Sequence, residues 1–135
     1  MLRKSRLLLA ACCLAPACHA AQWFLLSGEP GSRVDSAELD MSTVGSRQDS
    51  RQMMLRISLA ESRQDETGRP HQSYLSRINV VCSTASVLHE VQWRFQDAHW
   101  GGRMQQEIFA QPKPMAFLGL VPNPRDRLLA AACPR

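Results

Sequence analysis

The positions of the cysteines constrain the fold of this chain more than any other feature of its sequence. Three of the five cysteines lie in the apolar stretch 7–20, and only Cys82 and Cys133 follow it. If that stretch is removed during export, the two remaining thiols reach an oxidising compartment, where only one intramolecular pairing is open to them. We therefore expect a Cys82–Cys133 disulfide, which closes a loop of roughly fifty residues and contributes about 4 kcal/mol in the chain-entropy model.

Residues 1–20 have the pattern of a secretory signal peptide. A basic beginning is followed by an apolar run over residues 7–17, which is too short to span a bilayer as a helix. Small residues then precede a candidate cleavage site between Ala20 and Ala21. We expect residues 1–20 to be removed and residues 21–135 to form the mature domain.

A lipoprotein signal is the alternative for the same segment. Residues 9–12, Leu-Ala-Ala-Cys, fit a bacterial lipobox, in which Cys12 would carry the lipid and become the N-terminus. The apolar run that precedes Cys12 covers only residues 7–11, which is shorter than the usual core of a signal peptide. Both routes lead to export, but they differ in whether the domain is free or tethered to a membrane.

The charge of the chain is mostly a property of the export segment. The full sequence carries 16 Lys and Arg against 12 Asp and Glu, for a net charge of +4. Three of the basic residues and no acidic residue lie in residues 1–20, so the mature domain has a net charge of only +1. This balance does not favour a nucleic-acid partner. Contact with a membrane is expected only through the alternative lipid anchor.

The mature chain has the length of one domain and the patterning of an antiparallel sheet. Alternation is clearest in residues 52–60, where Met53, Leu55, Ile57 and Leu59 share one face. Val87, His89, Val91, Trp93 and Phe95 alternate in the same way, whereas residues 61–70 read as a charged, mobile loop. The predicted extended segments are residues 22–27, 33–35, 52–60, 73–82, 87–95 and 103–110, with a polar stretch after residue 35.

The C-terminus changes to a helical pattern. Asn123 is a favourable N-cap, and Pro124 suits the first helical position because its missing N–H costs nothing there. Residues 125–133 place Leu128, Leu129, Ala132 and Cys133 on one apolar face. We expect an α+β fold, an antiparallel sheet of about five to six strands with a C-terminal helix tethered by the disulfide.

The remaining candidate residues favour no catalytic, cofactor or metal site. His71, His89 and His99 lack the spacing of metal ligands, and no Gly-x-Ser-x-Gly motif frames a serine nucleophile. The cysteines form no Cys-x-x-Cys pair, so a redox thiol is not favoured. Trp93 is expected in the core and Trp100 in a turn, with a stacking surface as the alternative. We expect neither an enzyme nor a bound cofactor.

Several of these features together resemble the bacterial surface-adhesin protein E family. They are Trp23 just after the cleavage site, Asp35, the segment "YLSRINVVC" and the proline-led final helix that ends at Cys133. The resemblance implies an antiparallel sheet with a disulfide-tethered C-terminal helix. The founding adhesin of the family binds host matrix and serum proteins such as vitronectin and laminin. Where aromatic residues usually precede the Asp of the family, this chain has Ser-Arg-Val at 32–34.

The resemblance also sets the expected function and location. It implies an exported, non-catalytic binding protein in the periplasm or at the cell surface of a Gram-negative bacterium. The expected partner is a protein, either an envelope component or a host extracellular protein. The alternatives are a periplasmic enzyme or enzyme inhibitor that acts through residues 61–70, and a structural accessory protein of the envelope.

Overall fold

The computed structural model describes residues 20–117 and 119–133 as one antiparallel sheet with a C-terminal helix. Six strands are joined in sequence order, so each strand pairs with its neighbours in the chain. The predicted α+β fold is confirmed. The signal segment and the lipidation candidate Cys12 lie outside the described residues. The strands are β1 Trp23–Ser27, β2 Ser36–Arg47, β3 Ser50–Gln64, β4 Pro70–Val81, β5 Ser86–Phe95 and β6 Met104–Pro114; the helix is α1 Arg125–Ala132.

The two faces of the sheet differ in what covers them. The core face carries the alternating apolar side chains of β3, which are buried as predicted, together with Leu39 of β2 and Ile78 of β4. Leu128 and Ala132 of α1 pack into the same cluster. The opposite face, which we call the open face, is covered by no α-helix of the described residues and begins with Trp23 and Leu25 of β1.

The disulfide between Cys82 and Cys133 is present and joins the end of α1 to the end of β4, with the two Cα atoms 5.7 Å apart. The predicted pairing is therefore confirmed. The helix begins at Arg125, one residue later than predicted, and the side chain of Asn123 accepts a hydrogen bond from the Arg125 N–H at 3.0 Å. Within the described residues, no helix is long and apolar enough to cross a membrane.

Two segments that the sequence left without regular structure are parts of strands. The polar stretch after residue 35 forms β2, because its neighbours β1 and β3 satisfy its backbone groups. The predicted loop 61–70 is mostly the end of β3 and a tight turn into β4. Asp65 holds this turn by accepting hydrogen bonds from the Thr67 backbone and hydroxyl and from the backbone and side chain of Arg69.

An irregularity in β5 reverses the predicted alternation of that strand. His89 and Val91 pair with the adjacent β4 residues Ile78 and Arg77, so Glu90 is an extra residue in the ladder. A β-bulge of this kind moves the following side chains to the opposite faces. As a result Gln92 and Arg94 lie on the core face, whereas Val91, Trp93 and Phe95 lie on the open face.

Asp35 ties the segment before α1 to the sheet. Asp35 is buried, with 5% of the residue exposed. Its carboxylate accepts hydrogen bonds from the backbone N–H of Ala60 at 3.0 Å and from that of Val121 at 3.1 Å. The guanidinium of Arg63 pairs with the same carboxylate at 2.6 Å. The backbone N–H of Asp35 donates to the carbonyl of Val121 as well. This residue, noted in the sequence as part of a family resemblance, therefore fixes the path of the chain between β6 and α1.

Candidate functional site

The open face carries one continuous row of side chains that crosses every strand. The cross-strand register places Glu38 opposite Arg56, Arg56 opposite Leu75, and Leu75 opposite Trp93. Leu25 of β1 and Gln106 of β6 end the row. The centre of the row is therefore an ion pair flanked by apolar and aromatic side chains.

Two indole rings enclose the guanidinium of Arg56. Its central carbon lies 4.1 Å from the ring centroid of Trp23 and 4.6 Å from that of Trp100. Glu38 accepts two hydrogen bonds from the same guanidinium, at 2.7 and 2.9 Å. Arg56 is thus held by a bidentate carboxylate and by two cation–π contacts, which fix its position on the face. We call these four residues the tryptophan–arginine cluster.

A short turn between β5 and β6 delivers Trp100 to the cluster. The backbone N–H of Trp100 donates to the Ser73 hydroxyl at 2.9 Å, and that hydroxyl donates to the carbonyl of Asp97 at 2.7 Å. His99 and Trp100 have φ values of 53° and 61°, a left-handed conformation that costs on the order of 1–3 kcal/mol per non-glycine residue. The contacts to Ser73 and Arg56 hold this turn over one end of the open face.

The surroundings of the cluster combine apolar exposure with outward guanidinium groups. Ile108 is 70% exposed and Met104 is 49% exposed, and both lie opposite open-face residues of β5. Arg77 pairs with Glu90 at 3.1 Å, and its side chain is 45% exposed against 24% for the carboxylate. In the pair of Arg56 and Glu38, the arginine side chain is likewise the more exposed, at 23% against 12% for the carboxylate. In both ion pairs of this face the guanidinium group is therefore the more exposed member.

Of the two tryptophans whose positions were predicted, Trp93 and Trp100, only Trp93 lies elsewhere than expected. Trp93 was expected in the core, but the bulge in β5 places it half-buried on the open face. Trp100 lies in the predicted turn and also stacks on Arg56. Arg56 was not a candidate from the sequence, because only the register of β2 against β3 shows that it faces Glu38. Ala20 and Ala21 are exposed residues before β1, and cleavage between them stays a prediction.

The three histidines considered as metal ligands lie at two different places. His71 and His89 line a cleft on the core face, whereas His99 is exposed in the turn after β5. Among residues 20–117 and 119–133, no three His, Cys, Asp or Glu side chains are grouped so that they could hold a metal ion. The adjacent carboxylates of Asp65 and Glu66, in the turn between β3 and β4, pair with Arg69 and Lys113, respectively.

A serine–histidine pair lies beneath the cleft. The Ser76 Oγ is 2.6 Å from Nδ1 of His89, and Ser76 also donates to the carbonyl of Val91. Ser76 is completely buried, so a substrate carbonyl cannot approach its hydroxyl. Burial, with a smaller contribution from the nearby charges of Arg94 and Lys113, lowers the pKa of His89 to about 4. The pair is therefore a buried hydrogen bond that contains a neutral imidazole.

No protein-family model and no curated protein matches this chain. Among solved structures, the chain is similar to the crystal structure of protein E from non-typeable Haemophilus influenzae, with a TM-score of 0.49 and 9% identity over 85% of this chain and 80% of that one. A second crystal form of Haemophilus influenzae protein E gives a TM-score of 0.42 and 10% identity, over 70% and 80% of the two chains. Both structures are of protein E, the protein whose family the sequence resembles.

Proposed function

We propose that this chain is an exported, non-catalytic binding protein of the bacterial envelope and that its open face binds a protein partner. The observation that carries the proposal is the tryptophan–arginine cluster, in which Arg56 is clamped between Trp23 and Trp100. Tryptophan and arginine dominate the energetics of protein interfaces when they are pre-positioned and surrounded by apolar side chains. Here the cluster is pre-positioned beside apolar side chains, on a face that no helix covers in the part of the chain that the structure describes.

The chemistry of the face indicates the kind of partner. Its outward charges are the guanidinium groups of Arg56 and Arg77, whose carboxylate partners are the more buried members of each pair. Exposed Ile108 and Met104 supply apolar contact area beside them. A partner that presents carboxylates among apolar side chains is complementary to this surface.

Export is supported by the disulfide and by the pattern of residues 1–20. Disulfides form and persist outside the reducing cytosol, and Cys82–Cys133 is formed in the structure. The proposal includes cleavage between Ala20 and Ala21, with lipidation at Cys12 as the alternative. The sequence resemblance to the surface-adhesin protein E family makes host matrix and serum proteins the first candidates for the partner, and envelope components the second.

The test compares two substitutions of equally exposed apolar residues. Ile108→Asp places a carboxylate on the open face, whereas Val121→Asp places one near α1; the two parent side chains are 70% and 69% exposed. Binding of purified vitronectin, laminin and a solubilised envelope extract to the immobilised domain is measured by surface plasmon resonance. We expect Ile108→Asp to weaken binding about tenfold or more, and Val121→Asp to leave it unchanged.

Three outcomes would contradict the proposal. The first is equal binding by the two variants, and the second is no binding of any probe by the wild-type domain. The third is a wild-type dimer, measured by light scattering, that Ile108→Asp dissociates, since the open face would then serve a second copy. Circular dichroism melts of both variants verify that the sheet is intact.

A further inference from the structure

A polar cleft lies on the part of the core face that α1 does not cover. The cleft is bordered by β4, β5 and β6, by the turn after β3 and by the segment that follows β6. Its volume is about 270 Å³, slightly below the usual range of ligand pockets, so it suits a small molecule. The cleft lies on the other side of the sheet from the tryptophan–arginine cluster and has no part in the function proposed above.

Three buried polar side chains line the cleft with unused hydrogen-bonding capacity. Tyr74, His89 and Gln92 are 9%, 8% and 7% exposed, and each contributes to the lining. In the part of the chain that the structure describes, the Tyr74 hydroxyl, the Gln92 carboxamide and Nε2 of His89 make no hydrogen bond. Nδ1 of His71 is the buried side-chain atom without a partner among the described lining residues of the cleft. The polar atoms of Tyr74, His89 and Gln92 are not enclosed in this way, so they reach the cleft space and can bond a ligand there.

The charged residues of the cleft neutralise one another or their neighbours. Arg94 pairs with Glu107 at 2.7 Å, and Lys113 pairs with Glu66 at 2.8 Å. Arg63 and Asp65 are engaged by Asp35 and Arg69. Burial lowers the pKa of both lining histidines, His71 and His89, so their rings are neutral at pH 7. A charged ligand would therefore compete with these ion pairs, whereas a neutral ligand would not.

The hydrogen-bonding character of Tyr74, His89 and Gln92 indicates which class of ligand the cleft can bind. A tyrosine hydroxyl and a carboxamide each both donate and accept hydrogen bonds. Because the Ser76 hydroxyl donates to Val91, Nδ1 of His89 carries the imidazole proton and Nε2 is an acceptor. Ligand hydroxyls match all three groups because a hydroxyl both donates and accepts. The half-buried ring of Phe109 and the side chains of Leu59 and Leu120 supply an apolar wall beside the polar lining. The complementary ligand is therefore small and neutral, with several hydroxyls and an apolar ring face.

We propose that the cleft binds a neutral saccharide unit, with Tyr74, His89 and Gln92 bonding its hydroxyls and Phe109 contacting its ring. The test titrates the full mature domain with glucose, galactose, N-acetylglucosamine and the acidic sugar glucuronate, and follows amide chemical shifts by NMR. For a ligand of this size we expect a Kd on the order of 1 mM for at least one neutral sugar. The shifts should be centred on residues of β4 and β5 that line the cleft.

Two matched substitutions test the assignment. Gln92→Leu removes a donor and an acceptor from the cleft and is expected to weaken sugar binding tenfold or more, whereas Gln106→Leu on the open face should leave it unchanged. Tyr74→Phe, which keeps the ring, provides a second variant with an expected loss of several-fold. The proposal is overturned if no neutral sugar binds at about ten times the expected Kd, if glucuronate binds as tightly as glucose, or if Gln92→Leu and Tyr74→Phe bind like the wild type.

Discussion

At the scale of single residues, His89 links the stability of the fold to pH. Burial lowers the pKa of its imidazole from 6.5 to about 4 in the folded chain. Between these two values the unfolded chain binds the proton and the folded chain does not, so the free energy of unfolding rises with pH. The difference between 6.5 and about 4 corresponds to about 3 kcal/mol, which is lost as the pH falls through this window.

We predict that His89→Leu flattens the pH dependence of stability between pH 4 and pH 6.5. Urea denaturation at closely spaced pH values measures the effect. His99→Asn is the control, because His99 is exposed and asparagine tolerates its left-handed backbone. Part of the slope should survive in the His89 variant, since burial also lowers the pKa of His71. The same slope in His89→Leu as in the wild type would contradict the assignment.

At the scale of elements, α1 depends on its covalent link to the sheet. The helix has eight residues, a length that is not stable in water without tertiary contacts. Leu128 and Ala132 bury its inner side, and the disulfide closes a loop of 51 residues. The helix therefore belongs to the fold because it is both packed and tethered.

We predict that the double variant Cys82→Ser/Cys133→Ser loses about 4 kcal/mol of stability in the chain-entropy model. Hydrogen exchange should show a larger relative loss of protection for α1 amides than for the central strands β3 and β4. Reductant should destabilise the wild type and leave the double variant unchanged, which serves as the control. Undiminished protection of Leu128 and Leu129 in the double variant would show that packing alone holds the helix.

At the scale of the whole molecule, a measurement of the intact mass tests both export and the disulfide. We predict that the protein purified from its native envelope begins at Ala21 and gains about 2 Da on reduction, the mass of two hydrogens. Intact-mass spectrometry with and without reductant makes the measurement. A mass that includes acyl chains at Cys12 would instead support the lipoprotein alternative. A chain that retains residues 1–20 without lipid would contradict export by either route.

The sequence by itself determined the class of the fold and the disulfide between Cys82 and Cys133. Local signals were sufficient for this, because the alternation in β3, the proline before α1 and the lone pair of mature cysteines need no knowledge of distant contacts. They also predicted most strands, although β2 was missed as a polar stretch. Such a strand forms because its neighbours satisfy its backbone groups, which local propensity cannot show.

Only the tertiary structure decided what each face of the sheet carries. One extra residue in β5, near Glu90, moves Gln92 into the cleft and Trp93 onto the open face, and no local pattern reports a bulge. The cluster around Arg56 likewise depends on strand register and on the turn that folds Trp100 over the sheet. Register is set by the sum of contacts along the paired strands. The candidate sites are therefore properties of the assembled sheet, whereas the fold class is already present in the chain.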